Sequence, residues 1–149
     1  MTADEAIATL ALAPHPEGGW YRQTWAAPAA EGERPAGTAI LFLLRAGERS
    51  HWHRVDAAEI WHFHAGAPIR LRTAATDAGP AAETTLGPDL ATQRPQIVVP
   101  AHTWQSAETT GGWTLVSCTV SPGLRFEGFE LAPPGFDIPP ARPAPRVVL

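Results

Sequence analysis

The chain has 149 residues and a net charge of −4, and its 11 basic residues are all Arg; Lys and Asn are absent. Without Lys there is no Schiff-base chemistry and no P-loop lysine, without Asn there is no N-glycosylation sequon, and a single cysteine, Cys118, excludes an internal disulfide. The 13 Gly and 16 Pro exclude a bundle of long helices and ask for short elements joined by turns within one domain.

In chain order, residues 2–13 (TADEAIATLALA) predict a short helix. Thr2 and Glu5 make a capping box, Ile7 and Leu10 give the apolar pair, and Pro14 stops it. PHPEGG at 14–19 is a turn cluster. The period then becomes strand-like, with runs at 20–25, 38–45, 51–55, 59–64, 68–73, 96–99 and 113–120, the pattern of a β-sandwich or barrel. Residues 26–37 have little to bury and read as an exposed loop. A domain of residues 1–132 is followed by a Pro-rich tail, 133–149, expected to run extended over the surface or be disordered. Scattered Arg and an acidic balance argue against a nucleic-acid partner, and no apolar run approaches the ~20 residues of a membrane span. Asp4 and Glu5 stand where a secretion signal carries positive charge, so the expected location is cytoplasmic.

Chemistry concentrates in GERSHWHRVDAAEIWHFHAG (47–66). On a strand, side chains alternate faces, so His51, His53 and Val55 share one face. With Asp56–Ala58 as a reversal, Glu59, Trp61 and Phe63 share a face of the returning strand and His62 and His64 take the other. Two antiparallel strands then present His53 and Glu59 to one interior beside two aromatics. Imidazole with carboxylate suits a divalent transition metal and equally an acid–base pair. His62 and His64 are expected outside, and Cys118 as a small buried hydrophobe. Trp104, Trp113, Phe126 and Phe129 read as core or interface contacts. His15 and Glu17 read either as turn chemistry or as a lip over the pocket.

Gly47, His53, Val55, Glu59 and Gly66 reproduce the spacing of the first signature of the cupin superfamily, with Val55 where a second His is usual. Pro100-Ala-His102-Thr-Trp-Gln105 matches the second signature, with His102 at the usual Gly and Gln105 at the last metal-binding His. With PHPEGGWYRQTW, TAILFLL and TVSPGLRFEGFEL, residues 10–131 resemble one small family of single-domain cupins. The resemblance implies an all-β fold, a cupin-type double-stranded β-helix (jelly-roll) barrel with a short N-terminal helix. It also implies a ligand pocket in the barrel mouth and a homodimer.

Three functional readings follow. One is isomerase- or epimerase-like acid–base chemistry on a small polar molecule, with His53 and Glu59 catalytic, Glu59 fixing the tautomer of His53, and His51, Trp61, Phe63, Gln105, Tyr21 and Arg22 lining the pocket. Parity allows at most one of Tyr21 and Arg22 to enter it. The second is a non-catalytic module binding a small sugar or carboxylate. The third is a metal-dependent enzyme in which His51, His53 and Glu59 hold Ni, Zn, Fe or Mn, completed by His102 or by Gln105 through water. With Val55 and Gln105 at two ligand positions, no tightly bound metal is the favoured expectation.

Overall fold

The computed structural model describes residues 1–141. Helix α1 (Ala3–Thr9) precedes eleven strands: β1 (Ala13–Pro14), β2 (Trp20–Ala26), β3 (Thr38–Arg45), β4 (Arg49–Val55), β5 (Ala58–Gly66), β6 (Ile69–Ala74), β7 (Ala82–Leu86), β8 (Gln96–Val99), β9 (Trp104–Thr109), β10 (Trp113–Ser121) and β11 (Phe129–Leu131). A 3-10 turn, Phe126–Gly128, leads into β11. The helix begins as predicted, with the Thr2 hydroxyl accepting from the Glu5 N–H at 3.1 Å. It ends earlier, at Thr9, because Ala13 and Pro14 are drawn into β1 against β2.

The strands form two antiparallel sheets closed face to face as a jelly roll, in the orders β1-β2-β3-β10-β5-β8 and β11-β4-β9-β6-β7. Period-two alternation then separates inside from outside. On β3, Phe42 and Leu44 point in; on β10, Val116 does, and on β5, Trp61. They meet Ile69, Leu71 and Ala107 of the opposite sheet in one apolar cluster that fills half of the barrel. Toward the other end the same inward rows continue as Thr38 on β3, Val120 on β10 and Glu59 on β5, which pair in register. The barrel therefore has a dry half and a polar half, and the polar half holds the site.

Strands β1, β7, β9 and β11 are absent from the sequence reading. β7 (AETTL) buries only Leu86, and β9 (WQSAET) carries small and polar residues at buried central positions, so neither shows an apolar alternation. The reversal predicted at Asp56–Ala58 is also corrected. β4 and β5 do not pair with each other: β4 pairs with β9 and β11, and β5 with β10 and β8. Asp56 marks a corner between sheets, where Arg34 (2.6 Å) and Arg125 (3.1 Å) hold its carboxylate below the usual range, Arg34 contributing most.

Over Pro133–Ala141 the Pro-rich stretch lies against the second sheet. Trp52 donates its indole N–H to Asp137 at 2.9 Å, the Ala81 N–H bonds the Pro139 carbonyl, and Phe136 stacks on Trp104 at 5.2 Å. Ile138 is fully buried with Trp52, Ala74, Ala81 and Ala132. Residues 142–149, the rest of the predicted tail, lie outside the described residues. No described helix is long and apolar enough to cross a membrane. Because Ile138 fills a closed cluster, Ile138→Ala is expected to lower the urea unfolding free energy by about 2–4 kcal/mol, measured by equilibrium denaturation followed by Trp fluorescence.

Candidate functional site

The PHPEGG turn puts a buried acid, Glu17, against the barrel wall. Gly18 (φ +106°) lies so close to β4 that a Cβ would stand 2.1 Å from the Arg49 carbonyl oxygen. At Gly19 (φ +78°) a Cβ would stand 2.7 Å from Leu44 Cδ2 and 2.9 Å from the Leu43 carbonyl oxygen. Only glycine fits these two positions, and they deliver the Glu17 side chain beneath β4. The His51 N–H donates to the Glu17 carbonyl at 2.8 Å, and the Ser50 hydroxyl donates to Glu17 Oε1 at 2.9 Å.

A bulge in β4 decides which histidine enters. Ser50 pairs with Ala107 and His53 with Gln105, so three steps on β4 match two on β9. The extra residue breaks the period-two parity. Ser50 and His53 face in, while His51 turns out and bonds the Pro133 carbonyl through Nε2 at 3.0 Å. The prediction that His51 shares the inner face with His53 is thereby overturned, and with it the pocket and metal roles expected of His51.

The proton positions around His53 follow from what each partner is able to do. Its Nδ1 lies 2.7 Å from the His51 carbonyl oxygen, which only accepts, so Nδ1 carries a hydrogen. The backbone, rather than Glu59, sets this tautomer. Nε2 then faces Glu17 Oε2 at 3.1 Å, and one proton lies between them. Across the pit, Glu59 is placed by a directional chain. The Trp61 indole N–H, a donor only, bonds Gln105 Oε1 at 2.7 Å, which turns the Gln105 amide nitrogen to Glu59 Oε1 at 2.6 Å. The Cys118 thiol, which burial pushes well above its ordinary range, adjoins the same carboxyl.

Burial dominates the electrostatics. It pushes Glu17 up to about 7 against the opposing pull of His15 and Ser50. Glu59 is also pushed up to about 7 by burial, which outweighs the opposing charge of His53 and is reinforced by Glu17. Burial lowers His53 despite Glu59, and lowers His15 despite Glu17. Two buried carboxyls facing each other favour a state in which one is ionised and the other protonated.

Glu17, His53, Glu59 and Cys118 line a narrow pit, with Thr38, Ile40, Val55, Val120, Leu124 and Phe129 as its walls. The pit holds about 20 Å³ of solvent space and opens into a hollow of about 220 Å³ between Tyr21, Gln23, Arg125 and Phe126. Tyr21 thus reaches the mouth, whereas Arg22 points outward and donates Nε–H to the Leu10 carbonyl at 2.8 Å, so the pocket role expected of Arg22 is corrected. Trp61 and Phe63 belong to the apolar half below the pit and do not line it. Phe126, read as a core or interface contact, is 82% exposed at the rim. His62 and His64 lie on the outer face, bonded to Thr119 and Ser117.

A family model described as "Cupin superfamily (DUF985)" matches residues 4–132. The chain belongs to the cupin superfamily. A structural-genomics target protein from Shewanella oneidensis is 40% identical, with 89% of this chain and 85% of that one covered and a TM-score of 0.83. A hypothetical protein from Leishmania major is 31% identical, covering 87% and 86%, with a TM-score of 0.79. Oxalate decarboxylase from Bacillus subtilis, 11% identical over 79% of this chain and 29% of its own, shares the fold with a TM-score of 0.60. No curated protein matches.

Within this cupin the donor set does not fit a metal. Of the four ligand positions implied by the signatures, one holds the hydrocarbon Val55. Another holds Gln105, whose oxygen is committed to Trp61 and whose nitrogen is committed to Glu59. His51 faces away, and His102 is exposed at φ +64°, a left-handed conformation that explains the usual glycine there. Among the described residues no three His, Cys, Asp or Glu side chains are grouped to hold a metal ion.

Sequence reasoning placed Glu17 at a turn or lip, whereas it is the proton partner of His53. The available signal was a lone carboxylate wedged between Pro16 and two glycines. In the folded chain both buried carboxyls keep their protons up to about pH 7, and in the unfolded chain they lose them near the ordinary 4.5. The folded state binds more protons in between, so their contribution to stability falls as pH rises from about 4.5 to about 7 and is level above. Glu59→Gln is therefore expected to melt about 5 °C above the wild type at pH 8, the difference vanishing below pH 4.5, by scanning calorimetry at both pH values.

Proposed function

We propose that this cupin is a proton-transfer enzyme of the isomerase or epimerase type, acting without a metal on a small polar molecule. The observation that carries this reading is the convergence of three buried titratable groups, Glu17, His53 and Glu59, at the floor of an open pit. Catalytic acids and bases need protonation states that exchange near the working pH, and burial brings both carboxyls into that range.

The surroundings divide the roles. Glu59 accepts from the Gln105 amide and neighbours the Cys118 thiol, donors that favour its ionised form, so Glu59 is the base. Glu17 and His53 share a proton and together form the acid. The base takes a proton from the substrate, the acid returns one, and exchange with solvent restores both. Apolar walls exclude bulk water from the reacting end, while Tyr21, Gln23 and Arg125 offer polar contacts to the body of the molecule in the wider mouth.

The test is a screen of hydroxy acids, hydroxy ketones and reducing sugars with untagged protein in D2O, followed by proton NMR. Deuterium uptake by one compound class is expected, slowed at least a hundredfold by Glu59→Gln and by Glu17→Gln. Ligands that raise the melting temperature without exchange would make the chain a binding module instead. Near-stoichiometric metal in the purified protein, lost in His53→Ala, would overturn the metal-free mechanism.

A further inference from the structure

His15 stands where the pit meets its mouth, bordering the pit and both contiguous hollows outside it. The ring is held edge-on between Tyr21 (centroids 4.4 Å apart, 71°) and Phe42 (5.6 Å, 86°). Pro16 has no N–H, so the first main-chain donor beyond His15 is that of Glu17, which bonds His15 Nδ1 at 3.0 Å. An acceptor at Nδ1 places the hydrogen of the neutral ring on Nε2. No described residue accepts from Nε2.

The other nitrogen donors around the pit are committed. His53 Nδ1–H bonds the His51 carbonyl, the Gln105 amide bonds Glu59, and the Trp61 indole bonds Gln105. The Thr38 hydroxyl, which accepts from the Leu124 N–H, stands on β3 in the same sheet as Glu59 and is an oxygen rather than a nitrogen donor. His15 Nε2–H is the neutral N–H without a described acceptor that borders the pit itself, which it lines together with Glu59, whereas Gln23 lines only the outer hollow. A carboxylate removes a carbon-bound proton only where the electron pair left behind is taken up by an oxygen that a donor meets.

Resting on the proton-transfer reading above, we propose that the substrate is a small enolisable carbonyl compound and that His15 Nε2–H is the donor to its carbonyl oxygen. Glu59 takes the proton from the carbon next to the carbonyl. The C–H electron pair becomes a C=C bond, and the carbonyl π pair moves onto the oxygen. His15 keeps its proton and stabilises that oxygen as a neutral hydrogen-bond donor. The proton shared by Glu17 and His53 then returns to carbon, the C=O bond re-forms, and the product is an isomer of the substrate with no co-reactant consumed. Burial, which lowers the basicity of His15, favours the neutral ring this role needs.

Glycolohydroxamate, a planar mimic of the enediolate, is the probe, titrated calorimetrically into the full-length wild type, His15→Asn, His15→Gln and Glu59→Gln. The Asn oxygen falls near Nδ1 and keeps the turn bond without a donor at Nε2, whereas the Gln amide places an N–H near Nε2. The wild type is expected to bind, with His15→Gln within about fivefold and His15→Asn at least about tenfold weaker. Equal binding by His15→Asn and the wild type overturns the role of His15 and leaves proton transfer standing. Failure of the wild type to bind hydroxamate, while only the hydroxy acids, whose C=O belongs to a carboxylate, exchange in D2O, overturns the substrate class alone. Absence of exchange from every compound overturns the reading on which this inference rests.

Discussion

Two carboxyl groups closed inside one end of a barrel cannot both carry charge, and much of this molecule is arranged around that constraint. Charge that water no longer solvates has to be shared, hydrogen-bonded or neutralised by a proton. Glu17 meets it with the Ser50 hydroxyl and a proton held against His53, and Glu59 with the Gln105 amide. The polar half of the barrel is thus a chain of groups whose donor and acceptor roles are fixed from outside inward. It starts at the Trp61 indole on one side and at the His51 carbonyl on the other.

The same constraint explains the relation of this chain to its superfamily. In a barrel whose inward histidines hold a cation, buried carboxylate charge is neutralised by the metal. Here one histidine position is Val55 and another is Gln105, and Glu17 enters from the PHPEGG turn. In the metal-free reading proposed above, a proton shared between a carboxyl and an imidazole takes over the role that a cation would have. The likeness to oxalate decarboxylase at 11% identity concerns the barrel alone, since the side chains inside determine the chemistry.

Much of the fold was legible because its signals are local. Short apolar and β-branched runs such as TAILFLL and WTLVSCTV, the Thr2 cap and the glycine pairs identify strands, helix start and turns without tertiary information. His53 and Glu59 were legible from motif spacing, although the hairpin inferred to join them is a corner between two sheets. What was not legible depended on register. One extra residue in β4 rotates His51 out of the interior, and no residue between Arg49 and His53 announces the bulge. Arg22 and Tyr21 were separable by parity, but which of the two faces in was not.

The amino-acid sequence alone determined the class of fold, the absence of lysine chemistry and of an internal disulfide, and the concentration of imidazole and carboxylate in one segment. These follow from composition and short-range periodicity, which need no partner strand. Tertiary structure decided the rest: that Glu17 meets His53 at 3.1 Å, that Gln105 serves Glu59, and that His15 stands at the entrance with Nδ1 tied to the turn. Each depends on groups far apart in the chain, brought together by a turn that only glycine can make and by a strand out of phase by one residue.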